Sequence, residues 1–481
     1  MNYRNICAVP GMVLVITGIS MLFPALWSLY YGDYDWPAFL WTGGVTVILG
    51  LTLYKVCGIT GAFQAKEAFA AVVLSWVAAA GFGALPFLLS GTLPTFGSAL
   101  FEAMSGFTTT GASVFSDVEI LPHGVLFWRS FTHWLGGMGI IVLFVAVLSS
   151  LGVNALSMFK AESPGPVIEK ITPRISATAK ILWYIYIGMT IVLVVILYAL
   201  GMPLFDSLCH AFGTVATGGF SIKNLSIGYY ANPLIHWVII AFMFLAGINF
   251  VLYYLALKGK DLRVFWKDGE FRLYARITLV FIAVIAVTLL WTTNYSSEAA
   301  LRHAAFQVVS IMTTTGYATA DFDLWTTTAK AMLVILMFVG GCAGSTSGSI
   351  KVGRMLILLK QGYLELQRVL HPRSVTQIRI NGKAVRPELV MNVQQFFFIY
   401  VFIAAVSVTV MSALGLDPVS AFTAVAATLG NVGPGLAEVG PMRNYALVPE
   451  AGKYYLSFLM LAGRLELYTL LVLFLPSFWR K

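Results

Sequence analysis

The chain has 481 residues, 59% of them hydrophobic and only 11% charged, with a mean hydropathy of +0.84. That is too little charge to cover a soluble globule of this size, while many apolar runs reach the roughly 20 residues that cross a bilayer, so the composition excludes a water-soluble domain and reads as a polytopic membrane protein. The formal net charge of +9 is explained by basic loops on one face and points to no nucleic acid.

The N-terminal run "MNYRNICAVPGMVLVITGISMLFPALW" lacks a convincing small-residue cleavage site and reads as a retained span. Ten spans are expected, near 11 to 30, 37 to 54, 68 to 90, 125 to 150, 181 to 201, 235 to 257, 274 to 292, 330 to 359, 394 to 414 and 454 to 475. Between spans three and four, five and six, seven and eight, and nine and ten lies a segment too short to cross and too apolar for a solvated loop, which reads as re-entrant. Cys7, Cys57, Cys209 and Cys342 show no CxxC or metal-ligand spacing, which argues against a disulfide framework or a zinc site.

Basic residues prefer the cytoplasmic side of a span. The connectors 151 to 180 (Lys160, Lys170, Arg174, Lys180), 258 to 276 (Lys258, Lys260, Arg263, Lys267, Arg272, Arg276) and 351 to 388 (Lys351, Arg354, Lys360, Arg368, Arg373, Arg379, Lys383, Arg386) fall on one face, which is read as inside together with both termini. The opposite face carries Asp33, Asp35, Asp117, Glu119, Asp206, Glu298, Asp321, Asp323, Asp417, Glu438 and Glu450, an acidic surface expected to concentrate cations near an entrance. Whether the basic connectors set topology alone or also dock a partner stays open on the sequence.

The four re-entrant pieces are "ALFEAMSGFTTTGAS", "FDSLCHAFGTVATGGFS", "AAFQVVSIMTTTGYAT" and "PVSAFTAVAATLGNVGPG". Each is a short apolar stretch that runs into Thr or Thr-Leu and then glycine. Aligning Gly111, Gly218, Gly316 and Gly430 gives four copies of one unit: span, half-helix, Thr/Gly loop, span. Non-helical backbone at membrane depth must be buried in protein or line a wet path. Glycine lets successive carbonyls point one way, and threonine adds hydroxyl oxygens; rings of such oxygens replace the hydration shell of an alkali cation. The expected filter residues are therefore Thr109, Thr110 and Gly111; Ala216, Thr217 and Gly218; Thr314, Thr315 and Gly316; and Thr428, Leu429, Gly430 and Asn431. One such loop alone would more often be small-residue packing. Four copies in phase favour the filter.

The eighth span, "MLVILMFVGGCAGSTSGSIKVGRMLILLK", holds Gly340, Gly341, Gly344, Ser345, Thr346, Ser347 and Gly348 between two apolar halves, and that poor helix propensity predicts a break. Arg464 interrupts the last span, and an arginine at that depth must face the pore or a polar partner. Lys351 either adds to a charge barrier or marks the cytoplasmic side. His133 reads as a packing residue, and Glu102 as a cap for backbone donors or a wall of the outer vestibule.

These loops, with "HWLGGMGIIV" at 133 to 142, "GGCAGSTSGSIKVGR" at 340 to 354 and "AGRLE" at 462 to 466, resemble the Trk/Ktr/HKT cation transporters, and among them the membrane subunits of bacterial Trk potassium-uptake systems. The resemblance covers essentially the whole chain. It implies an all-α polytopic membrane protein of the bacterial cytoplasmic membrane: two extra N-terminal spans (1 to 60), then four potassium-channel-like repeats (61 to 160, 161 to 262, 263 to 372 and 373 to 481) around one pore. It also implies a homodimer, a TrkA-like cytosolic nucleotide-binding regulatory subunit, and a gate in which the Gly340 to Gly348 loop lies below the filter with Arg464 reaching across to it. Glycine at every filter position goes with potassium selectivity in that family; the fourth loop departs most, with Leu429 and Asn431 around its glycine.

Potassium is then the substrate and no cofactor is expected on this chain, which lacks GxxxxGK[ST]. Channel-like permeation leads, with a proton- or sodium-coupled symporter as the alternative. A coupled carrier would typically hold an acidic residue at the midplane, and an intramembrane enzyme would need a nucleophile, carboxylate pair or metal set inside the spans. Neither pattern stands out.

Overall fold

The structure, a computed structural model, describes residues 1–59, 64–137, 139, 175–372 and 377–480. Lys160, Lys170, Arg174 and Arg373, and most of "MGIIV" in the second half of the 133 to 142 motif, lie outside the described residues. Within them the chain is all-α apart from one two-stranded hairpin, Arg379–Ile380 with Lys383–Ala384, turned by Asn381 and Gly382 in the left-handed region. Asn-Gly is the pair that such a turn favours.

Among the described residues, six helices are long and apolar enough to cross a membrane: Tyr3–Tyr31, Trp36–Cys57, Ala65–Leu89, Ala179–Ala199, Gly269–Thr292 and Pro387–Ala413. Two further helix pairs reach the same length and apolarity together but are sharply bent, Pro233–Ala246 with Phe250–Gly259 at 92° and Glu450–Arg464 with Tyr468–Phe474 at 115°. The stretches 235 to 257 and 454 to 475, expected as continuous spans, are thus broken. In the second of these, Glu466 and Leu467 both sit at positive φ, which no α-helix accommodates. The expected 330 to 359 span is the short helix Thr327–Met337, then a loop, then Val352–Leu370.

The two N-terminal helices cross where Gly11 and Gly18 face Gly50 and Gly43. A β-carbon on Gly11 or Gly18 would fall 2.8 Å from the facing carbonyl, so small residues let the backbones touch. Their connector then caps the helix His123–Gly137: Asp33 Oδ2 accepts from the His123 amide at 2.7 Å, and Asp35 Oδ2 from the Val125 amide at 3.0 Å. These carboxylates satisfy orphan donors and the positive end of the helix dipole, which fastens the extra pair to the first repeat unit.

Four short helices fall on the segments expected to be re-entrant: Phe96–Phe107, Leu204–Ala216, Ser297–Met312 and Pro418–Leu429. Three start on side-chain caps, Thr95, Ser296 and Asp417, and the other follows Pro203. Each lies between an outer helix and an inner one. The inner helices are His123–Gly137, Pro233–Ala246, Thr327–Met337 and Glu450–Arg464.

Candidate functional site

All four pore helices end in the same hydrogen-bonded motif. The amides of Thr109, Thr217, Thr314 and Asn431 reach back three residues, to the carbonyls of Gly106, Thr214, Ile311 and Thr428, at 3.0 to 3.2 Å. The next amides, of Thr110, Gly218, Thr315 and Val432, reach back five, to Ser105, Gly213, Ser310 and Ala427, at 2.7 to 2.9 Å. This is a Schellman ending, whose left-handed position usually holds glycine. Here it holds Thr109 (φ 55°), Thr217 (53°), Thr314 (57°) and Asn431 (53°). A threonine in that region costs on the order of 1–3 kcal/mol and persists only where its surroundings impose it.

The residue two places on is glycine in every loop, again at positive φ: Gly111 (79°), Gly219 (85°), Gly316 (83°) and Gly433 (98°). A β-carbon on Gly111 would strike the Gly218 carbonyl oxygen, one on Gly219 that of Thr315, and one on Gly316 that of Val432; one on Gly433 would fall 2.6 Å from that of Thr110. Each loop therefore leans on the next in chain order, and the fourth returns to the first. The result is a closed ring of backbone oxygens, with the C-terminal, electronegative ends of four helix dipoles behind it.

This ring corrects the alignment drawn from sequence. Gly219 and Gly433 occupy the ring positions, not Gly218 and Gly430. Gly218 is equivalent to Thr110 and Thr315, and a β-carbon there would run into the His133 ring. Gly430 caps the fourth pore helix at φ −81°. Ala216, Thr428 and Leu429 belong to the last turns of their pore helices rather than to the loops. The register is counted from the left-handed position, which the nearest glycine after Thr or Thr-Leu does not mark.

Outside the ring is a vestibule lined by Gly111, Gly219, Gly316 and Gly433 together with Lys223, Asn224, Arg443 and Tyr445. No carboxylate among the described residues lines it. The acidic outer face is largely spent on structure instead. Asp33, Asp35 and Asp417 cap helices, Glu298 pairs with Arg302, Asp323 with Lys330 and Glu450 with Lys453, and Asp206 accepts from the Tyr230 hydroxyl. Behind the first loop, Glu102 and Arg129 form a buried ion pair at 2.7 Å. Glu102 also accepts from the Val114 amide, and Arg129 donates to the Ser221 carbonyl of the second loop. His133 takes its Nδ1 to the Gly106 carbonyl at 2.8 Å and accepts from the Phe220 amide on Nε2. Glu102, Arg129 and His133 therefore brace the loops of the ring from behind, and Arg129 was missed in the sequence.

Beneath the ring the third inner helix gives way to the loop 338 to 351. Gly340, Gly341, Gly344, Ser345, Thr346, Ser347 and Gly348 all lie in it, and Lys351 closes it. The loop is anchored by the amide of Gly340 on Ile350, of Cys342 on Gly247, and of Phe250 on Gly344. It meets each of the left-handed residues Thr109, Thr217, Thr314 and Asn431, directly or through one side chain. Thr217 Oγ1 is 3.2 Å from Thr346 Oγ1, the Gly348 amide donates to Thr314 Oγ1 at 2.6 Å, and a β-carbon on Gly348 would fall 2.9 Å from the Asn431 β-carbon. Arg464 supplies the fourth contact: Nη1 donates to Thr346 O at 3.0 Å and Thr109 Oγ1 at 3.3 Å, and Nη2 to the carbonyls of Gly136 and Gly137 at 2.6 and 2.9 Å. Lys351 is buried and donates to the Ser347 carbonyl inside the loop, and Arg354 pairs with Glu466. The arrangement puts a plug of backbone and one guanidinium on the inner side of the oxygen ring. Among the described residues no group of three His, Cys, Asp or Glu could hold a metal ion.

A family model described as TrkH, a cation transport protein, matches residues 38–481. The chain is 41% identical to the Trk system potassium uptake protein TrkH of Salmonella typhimurium and 34% identical to TrkG of Escherichia coli K12. The first alignment covers 100% of both chains, and the second covers 100% of this chain and 99% of the relative. The crystal structure of the potassium transporter TrkH from Vibrio parahaemolyticus superimposes with a TM-score of 0.91 at 39% identity, covering both chains fully.

Proposed function

Because the chain belongs to the TrkH family of cation transport proteins, we propose that it takes up potassium by passive, gated permeation through the ring formed by Gly111, Gly219, Gly316 and Gly433. The observation that carries this reading is ring closure: four loops with the same bonds and the same backbone geometry, each packed on its neighbour's carbonyl. Oxygens fixed in that way stand in for the water an entering cation loses, whose removal otherwise costs many kcal/mol. The hydroxyls of Thr109, Thr217 and Thr314 extend the oxygen lining toward the inner side.

The loop 338 to 351 and Arg464 form the gate. With the loop against Thr217 and Thr314, and a positive charge beside Thr109, a cation leaving the ring inward meets both a steric and an electrostatic barrier. Opening requires the loop to withdraw and Arg464 to turn away. Exposed Lys258, Lys260, Arg263, Lys267, Arg272 and Arg276, with Arg368, Arg379, Lys383 and Arg386, offer a basic surface to a TrkA-like cytosolic nucleotide-binding subunit. Lys351 and Arg354 are buried and take no part in that surface. Two copies of the chain assemble as a homodimer, each with its own pore.

The test is potassium and sodium flux into liposomes that hold the purified chain, under an imposed voltage without a proton gradient. Potassium flux that exceeds sodium flux and follows the voltage is the expected result. Flux that needs a proton or sodium gradient, even with the regulatory subunit present, would replace this reading with a coupled symporter.

A further inference from the structure

The gate loop is held from a second side by a residue that neither the filter nor Arg464 accounts for. Glu270 lies in the first turn of Gly269–Thr292, the outer helix of the third unit. Its Oε1 accepts from the Ala343 amide, inside the loop, and from the Gly353 amide, in the helix that leaves it, each at 2.7 Å. One carboxylate oxygen thus spans the loop from its middle to its exit.

The two residues before Glu270 are held in turn from the hairpin. Asn381 Oδ1 accepts from the Gly269 amide at 2.8 Å, and Asn381 Nδ2 donates to Asp268 Oδ2 at 2.7 Å. The other oxygen of Asp268 caps the helix by accepting from the Phe271 amide at 2.8 Å. Asn381 is itself exposed and is the first residue of the hairpin turn, at φ 52°. A run of hydrogen bonds therefore leads from an exposed turn, through the start of a membrane helix, to the loop under the filter.

We propose that Glu270 is a positioning residue that latches the gate loop shut, and that the Asn381 turn governs the latch through Asp268 and Gly269. The proposal rests on the reading of 338 to 351 as the gate. Its logic is that of a bistable element: a hydrogen-bonded contact made in the closed arrangement and lost in the open one biases the equilibrium by its full differential strength, and a charged acceptor makes stronger bonds than a neutral one.

The test compares voltage-driven potassium flux per folded protein in liposomes for the full chain, for Glu270→Gln, for Asn381→Ala and for Arg464→Ala. Glu270→Gln keeps the shape and one acceptor oxygen but removes the charge; its flux should rise about tenfold. Asn381→Ala, at an exposed turn, should raise flux about two- to threefold, with faster hydrogen exchange at the Ala343 and Gly353 amides. Neither should change the preference for potassium over sodium. If Arg464→Ala raises flux while Glu270→Gln only lowers thermal stability, Glu270 is a structural cap and the proposal is overturned. Should Glu270→Gln fail to fold, an Asn381→Ala variant with unchanged flux and unchanged exchange overturns it just as firmly. Unchanged flux in Arg464→Ala as well would overturn the gate reading beneath it.

Discussion

The oxygen ring and the breaks just below it follow the same fourfold plan, but only the ring keeps it. At the ring, all four units use one backbone motif with the same bonds at nearly the same lengths and the same two positive-φ positions. Below it, the second inner helix breaks over Gly247 to Asn249, the fourth over Leu465 to Leu467, and the third opens into the whole of 338 to 351. On the proposed reading, symmetry is held where an ion is surrounded and abandoned where a part moves, because a single loop can shut a single axis. Even the bracing of the ring is asymmetric. Seven residues before the left-handed position stand Glu102, His210 and Gln307, whereas the fourth unit has Ala424 there.

Breaking that brace should have the largest effect. Arg129→Ala strands Glu102 as a buried charge, and losing one partner of such a pair costs about 3–5 kcal/mol. Thermal unfolding in detergent should fall steeply, and the paired apolar replacement Glu102→Leu with Arg129→Met should recover most of the loss. A single variant as stable as the parent would mean that the loops carry their own geometry.

Next in size is the contrast that fixes the ring register. Gly433→Ser forces a side chain into the left-handed region at φ 98° against the Thr110 carbonyl of the neighbouring loop, whereas Gly430→Ser, at φ −81°, meets the carbonyls of Ala426 and Met337 and no carbonyl of another filter loop. Potassium over sodium discrimination should fall about tenfold or more in the first and much less in the second, with Gly316→Ser behaving like the first. Competition flux in liposomes reads both. Equal losses at 430 and 433 would restore the alignment made on the nearest Thr-Gly pair.

Smaller again is the gate. Arg464→Ala removes the hydrogen bonds to Thr109, Thr346, Gly136 and Gly137 and the positive charge, and should raise basal flux several-fold with ion preference unchanged, since the three carbonyls among those partners lie outside the ring. A shift in ion preference would place Arg464 in the filter and erase the division between ring and gate.

How far the sequence carried depended on what kind of information each feature needs. Apolar length alone located the helices, and the four pore helices fall where the half-apolar pieces were quoted. The ring register was lost because it is set by backbone counting from a left-handed residue: in the second loop Gly218 and Gly219 are adjacent, and in the fourth Asn431 and Val432 intervene after Gly430. The bends near Gly247 and Glu466 hid inside apolar runs. Asn249, which caps the next helix by accepting from the Val251 amide at 2.9 Å, was the available sign. Lys351 and Arg354 were counted toward the basic face yet lie buried, because charge position along a chain says nothing of depth. Nor does it say what a carboxylate is engaged with: Asp33, Asp35 and Asp417 cap helices, and Glu298, Asp323 and Glu450 stand in ion pairs.

The basic lining of the vestibule leads to the finest test of the comparison, at the mouth where the ring meets solvent. Arg443 is exposed there and lines the vestibule with Lys223. A unit charge about 10 Å from a cation in water is worth about 0.4 kcal/mol, or roughly a twofold change in local concentration. Screening shortens its reach from about 10 Å at 0.1 M salt to about 3 Å at 1 M. Arg443→Gln should therefore raise potassium flux about twofold at low ionic strength and by almost nothing near 1 M, with discrimination against sodium untouched. A rise that survives high salt would mean that Arg443 acts by contact rather than by field. An altered ion preference would mean that the ring is less self-contained than its closed set of carbonyl contacts implies.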